Sequence, residues 1–255
     1  MKVVILAGGY GTRLSEETDV IPKPMIEIGG RPLLWHLMKL FSTRGFSDFI
    51  IALGYKGSVI KKYFLRYPEL ESDLFVDLGS GRCHTDKKYG EDWRVELVDT
   101  GHDTMTGGRL KRLASRVDST IFFTYGDGLS DIDLKRLLAF HKSHGKLATV
   151  TAVRRPDRFG VLKLDGDRVA AFSEKPERSG EYINGGFFVL EPGALDVIAG
   201  DSTSWEREPC EALAAQGELC AYRHDGYWQC VDTLHELRLL RDIWSHGKAP
   251  WKVWE

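Results

Sequence analysis

Predicted strands recur along the first half of the chain, most of them apolar runs without polar alternation. They lie at 3–6, 49–53, 93–98, 121–124 and 147–152. Between these runs, apolar residues recur at helical spacing. The predicted helices are 32–43, 58–67 with Ser58 as its N-cap, 106–117 and 133–144. Because mostly apolar strands alternate with helices, we expect an α/β fold with a parallel sheet that is covered on both faces.

The second half of the chain is less regular. Two short apolar segments flank Asp165-Gly166, which predicts a hairpin. Asn184-Gly185-Gly186 reads as a loop before a strand at 187–190, and Thr233 with Glu236 has the spacing of a capping box for a terminal helix. The glycine-rich region 73–92 has no assignable pattern and is interpreted as a loop or an inter-subunit arm. Since no linker or repeat divides the chain, we expect one domain over residues 1–255.

Composition excludes several classes of protein. Lys and Arg number 35 against 37 Asp and Glu, so a general nucleic-acid binder is not expected. The four cysteines form no CxxC pair, which argues against a zinc site and favours reduced thiols. No signal peptide and no apolar stretch of membrane-spanning length is recognised. We therefore expect a cytoplasmic protein that does not associate with membranes.

A glycine-rich segment, LAGGYGTRL at 6–14, follows the first predicted strand. A dinucleotide-binding loop requires a third glycine where this chain has Leu14. A P-loop requires Gly-Lys-Ser or Gly-Lys-Thr, which occurs nowhere in the sequence. The glycines still provide a backbone whose N–H groups can wrap a phosphate chain. The loop is therefore interpreted as a phosphate-binding loop of a third kind.

Two cations accompany this loop. Arg13 follows the glycines directly, and its planar guanidinium suits phosphate oxygens. Lys23 lies between Pro22 and Pro24, which restrict the backbone on both sides of it. A lone Arg or Lys in a loop is most often solvated surface, but the close spacing of the glycines and both cations favours phosphate chemistry.

The motifs LAGGYGTRL and PKPM resemble the signature of the sugar-1-phosphate nucleotidyltransferases, and the resemblance extends along the chain. MTGGRLKR at 105–112 and PWKVWE at 250–255 are similar to one branch of that family, the glucose-1-phosphate cytidylyltransferases. GYKG, FTYGDG, FGVL, EKP and NGGFFVL agree with the same branch. Ile21 departs from it, since a basic residue is expected before Pro22.

The resemblance implies a Rossmann-like three-layer α/β/α fold with a mainly parallel central sheet and small β additions that form the sugar site. The nucleotide would bind in the N-terminal half; sugar-phosphate binding and oligomerisation would belong to the C-terminal half. The implied reaction joins CTP and α-D-glucose 1-phosphate to give CDP-glucose and pyrophosphate. Alternatives are the same reaction with another nucleotide (UTP or dTTP) or another sugar, and a non-catalytic nucleotide-sugar-binding module.

The resemblance also assigns residues. Asp127 and Asp232 would hold Mg²⁺, although a turn residue and a helix N-cap are the ordinary interpretations of these positions. Arg13 and Lys23 would be catalytic, Arg13 on the leaving pyrophosphate and Lys23 between the two phosphates. The implied nucleotide-binding residues are Leu6, Ala7, Gly8, Gly9, Gly11, Thr12, Arg13, Lys23, Thr104, Arg109 and Gly126. The implied sugar-binding residues are Gly160, Glu174, Lys175, Asn184 and Gly185. A homo-oligomer is implied, with hexamers in the cytidylyltransferase branch.

Overall fold

The structure is a computed structural model that describes residues 1–11, 14, 20–86, 90–154, 161–165, 168–173 and 181–254. Its strands are β1 (Lys2–Ala7), β2 (Glu27–Ile28), β3 (Arg31–Pro32), β4 (Asp48–Leu53), β5 (Asp73–Asp77), β6 (Arg82–Asp86), β7 (Arg94–Asp99), β8 (Ile121–Tyr125), β9 (Gly128–Ser130), β10 (Ala148–Arg154), β11 (Val161–Asp165), β12 (Arg168–Ser173), β13 (Tyr182–Leu190), β14 (Leu219–His224) and β15 (Trp228–Cys230). Its α-helices are α1 (Leu33–Ser42), α2 (Gly57–Leu70), α3 (Thr106–Arg112), α4 (Leu134–His144), α5 (Glu208–Ala215) and α6 (Leu234–Ser245).

Seven strands form the central sheet, in the order β14-β10-β13-β8-β1-β4-β7. The pairs of β1 with β4, β1 with β8, β4 with β7 and β10 with β14 are parallel, and only β13 runs against its two neighbours. The expectation of a mainly parallel α/β sheet is therefore confirmed. Because β1 and β8 are parallel neighbours, the loops after them leave the same edge of the sheet.

The apolar core lies on both faces of this sheet. Val3 and Ile5 of β1 pack on one face, together with buried residues of α1. Val4 and Leu6 pack on the other face, where Leu110 of α3 and the buried Trp205 meet them. Because the strand is buried on both faces from Val3 to Ala7, its sequence shows no polar positions there.

Two predicted features of local structure are confirmed and two are wrong. β11 and β12 pair as an antiparallel hairpin, and Thr233 and Glu236 form a complete capping box at the start of α6. Ser58 is not an N-cap, because the helix begins earlier and its cap position is Lys56 at φ 51°. Helix α3 ends at Arg112 and is followed by a 3-10 turn at Ala114–Arg116, so the predicted helix at 106–117 was too long.

The region 73–92, which the sequence left unassigned, contains the antiparallel strands β5 and β6. Leu74, Phe75, Val76 and Leu78 of this hairpin are exposed. The tryptophans near the carboxyl terminus pack within the chain: Trp251 is buried, and Trp244 and Trp254 contact α1 through His36. In the part of the chain that is described, no helix is long and apolar enough to cross a bilayer.

Candidate active site

The glycine loop begins where β1 ends, at Ala7. The backbone oxygen of Gly8 accepts a hydrogen bond from the N–H of Tyr55 at 3.1 Å, which ties the loop to the end of β4. Gly11 has φ +64°, a left-handed conformation that favours glycine. The Leu14 N–H donates to Gly11 O at 3.0 Å, and Leu14 is buried in the core. The leucine that excluded a dinucleotide motif is thus an anchor for the end of this loop.

Arg109 holds the backbone of the glycine loop in place through hydrogen bonds. Its Nη2 donates to the carbonyl oxygens of Gly8 at 3.0 Å and His102 at 3.2 Å. Its Nη1 donates to Leu53 O at 3.0 Å, Thr100 Oγ1 at 2.8 Å and Gly101 O at 2.7 Å. One guanidinium therefore joins the segments that follow β1, β4 and β7.

Two glycines make room for this guanidinium. A Cβ atom at Gly8 or at Gly54 would lie 2.4 Å from Arg109 Nη1, closer than any real Cβ contact. Arg109 is 4% exposed, and its burial lowers the pKa of the guanidinium. Sequence reasoning placed Arg109 near the nucleotide as a phosphate or base contact. In the structure it lies directly beneath the loop, and five oxygens of the protein accept from it.

The glycines of MTGGRLKR have a packing role. A Cβ at Gly107 would lie 2.8 Å from Thr203 O, and one at Gly108 would lie 2.5 Å from Asp201 O. The N–H of Gly108 donates to Thr203 O at 3.1 Å. Helix α3 can therefore approach the backbone at 201–205 closely, and this approach sets the position from which Arg109 reaches the loop.

Thr104 and Tyr10 lie at the rim of the same loop. Thr104 is buried, and a Cβ at Gly101 would lie 2.6 Å from its Oγ1. The Tyr10 hydroxyl is hydrogen-bonded to His102 Nδ1 at 2.8 Å and donates to Asp103 Oδ1. The hydrogen bond to Asp103 raises the pKa of Tyr10. Tyr10, Tyr55 and His102 form an aromatic rim that sequence analysis did not assign.

Lys23 connects the glycine-loop segment to two distant carboxylates. Its Nζ donates to Asp127 Oδ2 at 2.5 Å and to Asp232 Oδ1 at 2.7 Å. Burial of Lys23 disfavours its charged form, but the two carboxylates outweigh this effect and raise the pKa of the ammonium group. The structure therefore brings together three of the residues that sequence analysis predicted to be catalytic or metal-binding.

A short ladder explains how the two aspartates meet. β9 follows Asp127, β15 precedes Asp232, and the two strands pair antiparallel with Cys230 opposite Gly128. The N–H of Val231 donates to Asp127 O at 2.9 Å, which continues the pairing to the next residue. The N–H of Asp232 donates to Glu236 Oε2 at 2.7 Å, beside the capping box of α6. The ladder and the cap together fix both carboxylates at the edge of the sheet.

The donor set at this point suits a hard divalent cation. Two carboxylate oxygens converge on one cationic atom, here the ammonium nitrogen of Lys23. Mg²⁺ is typically bound through one or two protein carboxylates, with water and substrate phosphates as further ligands. Asp127 and Asp232 are partly exposed, so a ligand can reach both carboxylates from solvent. The chemistry of the residues present therefore fits magnesium.

Asn184 and Gly185 lie within β13 rather than in a loop before it, so the predicted strand start was wrong. The strand is irregular here: the pairing with β10 shifts between Val150 and Ala152, and Gly186 has φ +78°. Gly186 allows the Tyr125 ring to approach within 2.7 Å of where a Cβ would lie. Glycine-rich sequence therefore marks a bulged strand at this position.

Tyr125 and Glu206 are residues of this corner that sequence reasoning missed. The Tyr125 hydroxyl donates to Glu206 Oε1 at 2.5 Å, and the Thr106 hydroxyl donates to Glu206 Oε2 at 2.7 Å. Burial, followed by the charge of Glu206, raises the pKa of Tyr125. Tyr125 stands directly before Gly126-Asp127 in the FTYGDG motif, which was its only signal in the sequence.

Gly126 lies against the Lys23 segment. A Cβ at Gly126 would lie 2.8 Å from Leu6 O and 2.8 Å from Pro24 Cγ. The end of β1, the PKP segment and the GDG turn are therefore in direct contact. The remaining predicted residues, Thr12, Arg13, Gly160, Glu174 and Lys175, lie outside the described part of the chain.

The fold of the sheet and the residues at the edge where β1 and β8 end are consistent with the family that the comparisons give. The nucleotidyl transferase family model matches residues 2–238, and the chain belongs to this family. The chain is 55% identical to glucose-1-phosphate cytidylyltransferase of Salmonella typhi over 257 residues, which covers all of both chains. It is 43% identical to a probable glucose-1-phosphate cytidylyltransferase of Bacillus subtilis (strain 168), again over the full length of both.

A solved structure supports the fold independently. The crystal structure of HddC from Yersinia pseudotuberculosis complexed with GMP-PN matches with a TM-score of 0.68 at 24% identity. The match covers 95% of this chain and 99% of that one. The central sheet described above is therefore the fold of the family, and the protein is a nucleotidyltransferase enzyme.

Proposed function

We propose that this protein transfers a cytidylyl group from CTP to α-D-glucose 1-phosphate and releases pyrophosphate. The observation that carries the proposal is the convergence of Lys23, Asp127 and Asp232 at the edge of the sheet where the glycine loop begins. Full-length identity of 55% to a glucose-1-phosphate cytidylyltransferase supports the choice of substrates.

The chemistry requires placement of two polyanions more than a proton-transfer base. An oxygen of the sugar phosphate forms a bond to the α-phosphorus, while the bond from that phosphorus to the bridging β-phosphate oxygen breaks in line. The sugar phosphate is already ionised near neutral pH, so no side chain has to remove a proton. Positioned cations that stabilise the developing charge supply the catalysis.

The residues of the chain divide this work. The backbone of Gly8, Gly9 and Gly11 would bind the nucleotide, in the position fixed by Arg109. Lys23 would contact both phosphates, and Arg13 would stabilise the leaving pyrophosphate. Members of this family generally use Mg²⁺. In this chain Asp127 and Asp232 would hold the ion, which neutralises phosphate charge and orients the phosphates when bound.

The sugar would bind on the β13 side of the crevice. Asn184 and Gly185 lie there beside Tyr125, and the indole N–H of Trp228 donates to Gly185 O at 2.7 Å. Gly160, Glu174 and Lys175 are proposed as further sugar-binding residues, because the FG and EKP motifs resemble those of the family. Thr104, Gly126 and the end of β1 complete the proposed nucleotide-binding set.

A nucleotide panel tests the proposal. Purified protein is incubated with glucose 1-phosphate, Mg²⁺ and one of CTP, UTP, dTTP, ATP or GTP, and pyrophosphate release is measured with a coupled assay. We expect the largest kcat/KM with CTP, and CDP-glucose as the product by chromatography. Asp127→Asn serves as the matched control for contaminating activity, since the substitution keeps the side-chain shape and removes the charge.

The other outcomes decide between the alternatives. Fastest turnover with UTP or dTTP would replace the cytidylyl assignment and keep the reaction class. Galactose 1-phosphate and mannose 1-phosphate, tested with the preferred nucleotide, check the sugar in the same way. Binding of a nucleotide sugar without any pyrophosphate release would identify a non-catalytic module instead.

We propose further that the protein is a cytoplasmic homo-oligomer, by analogy with the hexamers of the cytidylyltransferase branch. The hairpin of β5 and β6 exposes Leu74, Phe75, Val76 and Leu78, a set of apolar side chains that a second copy of the chain would cover. Light scattering should give a multiple of 28.8 kDa. Phe75→Asp should lower the measured mass, whereas Leu239→Asp, an exposed leucine on α6, should not.

A further inference from the structure

Lys23 occupies the point on which the two proposed metal-binding carboxylates converge. Its Nζ lies 2.5 Å from Asp127 Oδ2 and 2.7 Å from Asp232 Oδ1, and its side chain is 13% exposed. Two carboxylates that share one small volume repel each other unless a cation lies between them. In this structure the side chain of the protein itself provides that cation.

The backbone around this contact is fixed on all three sides. Pro22 and Pro24 restrict the chain on either side of Lys23, and the Met25 N–H donates to Pro22 O at 2.8 Å. Pro24 packs against Gly126, and the ladder of β9 and β15 fixes both aspartates. The movable part is therefore the four-carbon stem of Lys23, while the carboxylates stay converged.

A divalent cation and the Lys23 ammonium compete for the same oxygens. A cation bound by the two oxygens that now accept from Nζ, Asp127 Oδ2 and Asp232 Oδ1, must displace Nζ, because two cations at the same two oxygens repel each other strongly. Displaced Nζ needs another anionic partner. A nucleotide bound at the adjacent glycine loop offers its phosphate oxygens as that partner.

We propose that Lys23 is a positioning residue for metal binding as well as a phosphate ligand: in the free protein its ammonium holds the two carboxylates and excludes divalent cations until the nucleotide arrives. The identity of the phosphate ligand rests on the proposed function, whereas the exclusion of the cation does not. Metal and nucleotide then bind with positive coupling. The bound metal frees the Lys23 ammonium to contact the nucleotide phosphates, and the bound nucleotide gives the displaced ammonium an anionic partner.

The proposal predicts that replacing Lys23 changes turnover and metal affinity in opposite directions, which a purely catalytic role for Lys23 does not predict. Removing the Lys23 charge impairs turnover, yet it strengthens divalent-cation binding to the nucleotide-free protein. Because the charge that competes with the metal for these two oxygens is lost, the gain is on the order of tenfold or more in affinity.

The test is a Mn²⁺ titration of the full chain without nucleotide, with free Mn²⁺ followed by electron paramagnetic resonance. Lys23→Met should bind one Mn²⁺ at least tenfold more tightly than the wild type, and Lys23→Gln should show the same direction. Lys23→Met combined with Asp127→Asn should lose the gain, which locates it at this pair of carboxylates. Lys39→Met, which removes an ion pair with Glu91 elsewhere, should bind Mn²⁺ as the wild type does.

Equal Mn²⁺ affinity in the wild type, Lys23→Met and Lys23→Gln would overturn the inference. Circular dichroism and thermal melting establish that each variant is folded, and Mn²⁺ should raise the melting temperature of Lys23→Met more than that of the wild type. The nucleotide panel is a separate measurement. A protein that releases no pyrophosphate but gains Mn²⁺ affinity on losing Lys23 would refute the proposed function and retain this inference.

Discussion

Arg109 and Lys23 are two cationic side chains near the same edge of the sheet, and they are held by different partners. At the glycine-loop end, Arg109 donates to four backbone carbonyl oxygens and one hydroxyl, all neutral. At the acidic end, Lys23 donates to two carboxylates. A cation held by neutral oxygens of the surrounding backbone stabilises the folded structure. A cation held by carboxylates can be exchanged for another cation, which is what the proposed binding of metal and phosphate requires.

The largest expected effect is on turnover at the acidic end. Lys23→Ala and Asp127→Ala should each lower kcat on the order of 10²- to 10³-fold, because each removes positioned charge from the reacting phosphates. Pyrophosphate release under saturating substrates measures this loss. Lys39→Ala, with its ion pair to Glu91, is the matched control. Near-wild-type rates in both site variants, with folding intact, would contradict the proposed roles.

At the glycine-loop end the expected effect is mainly on stability. Arg109→Met should cost about 2–4 kcal/mol of unfolding free energy, since it leaves buried carbonyl oxygens without their donor. Urea denaturation followed by circular dichroism measures the change. Arg112→Met, three residues along the same helix, removes only an exposed pair with Asp201 and should leave the midpoint almost unchanged. Equal denaturation midpoints for the two variants would show that the hydrogen bonds of Arg109 do not stabilise the fold.

Substitutions at two neighbouring glycines test the contact between Arg109 and the glycine loop, with smaller expected effects. Gly8→Ala should cost about 1–2 kcal/mol and raise the KM for the nucleotide, because the new Cβ collides with the pinned guanidinium of Arg109. Gly9→Ala meets nothing within 4 Å and should have little effect on stability. Denaturation midpoints and nucleotide KM values distinguish the two variants. If Gly9→Ala were the more damaging for stability, the described contact would not govern this loop.

The smallest predicted effect lies on the proposed sugar side. Glu206→Gln keeps an oxygen for Tyr125 but replaces a charge-assisted hydrogen bond with a neutral one, a loss of about 1 kcal/mol. The KM for the sugar phosphate should therefore rise about fivefold while the nucleotide KM is unchanged. Glu208→Gln, two residues later and exposed at the start of α5, is the control. An equal rise in both KM values would indicate a general structural effect.

Local patterns predicted most of the sheet and several helix boundaries. The strands at 3–6, 49–53 and 121–124 are within one residue of β1, β4 and β8 at each end, because buried parallel strands leave an unbroken apolar signal. The capping box of α6 was predictable for the same reason: its two side chains and two N–H groups lie within four residues. The cap at Lys56 was not predictable, since its left-handed conformation has no marker in that side chain.

Glycine was the least decisive residue type in the sequence. Gly8 and Gly54 are separated by 46 positions, and both accommodate the same guanidinium. Gly185 and Gly186 lie in an irregular strand, where the sequence predicted a loop. In each case the missing Cβ leaves room for a neighbour that is remote in the chain. A glycine pattern can therefore mark a close approach without identifying what approaches.

The sequence by itself determined the alternation of strands and helices, and it predicted the kind of loop and the residues that would bind phosphate and metal. Only the tertiary structure decided that Lys23 lies between Asp127 and Asp232, across separations of 104 and 209 residues, and that Arg109 fastens the glycine loop. The physical reason is the range of the interactions. Periodicity, caps and proline act over a few residues, whereas the ladder of β9 with β15 and the packing of α3 join segments that no local pattern connects.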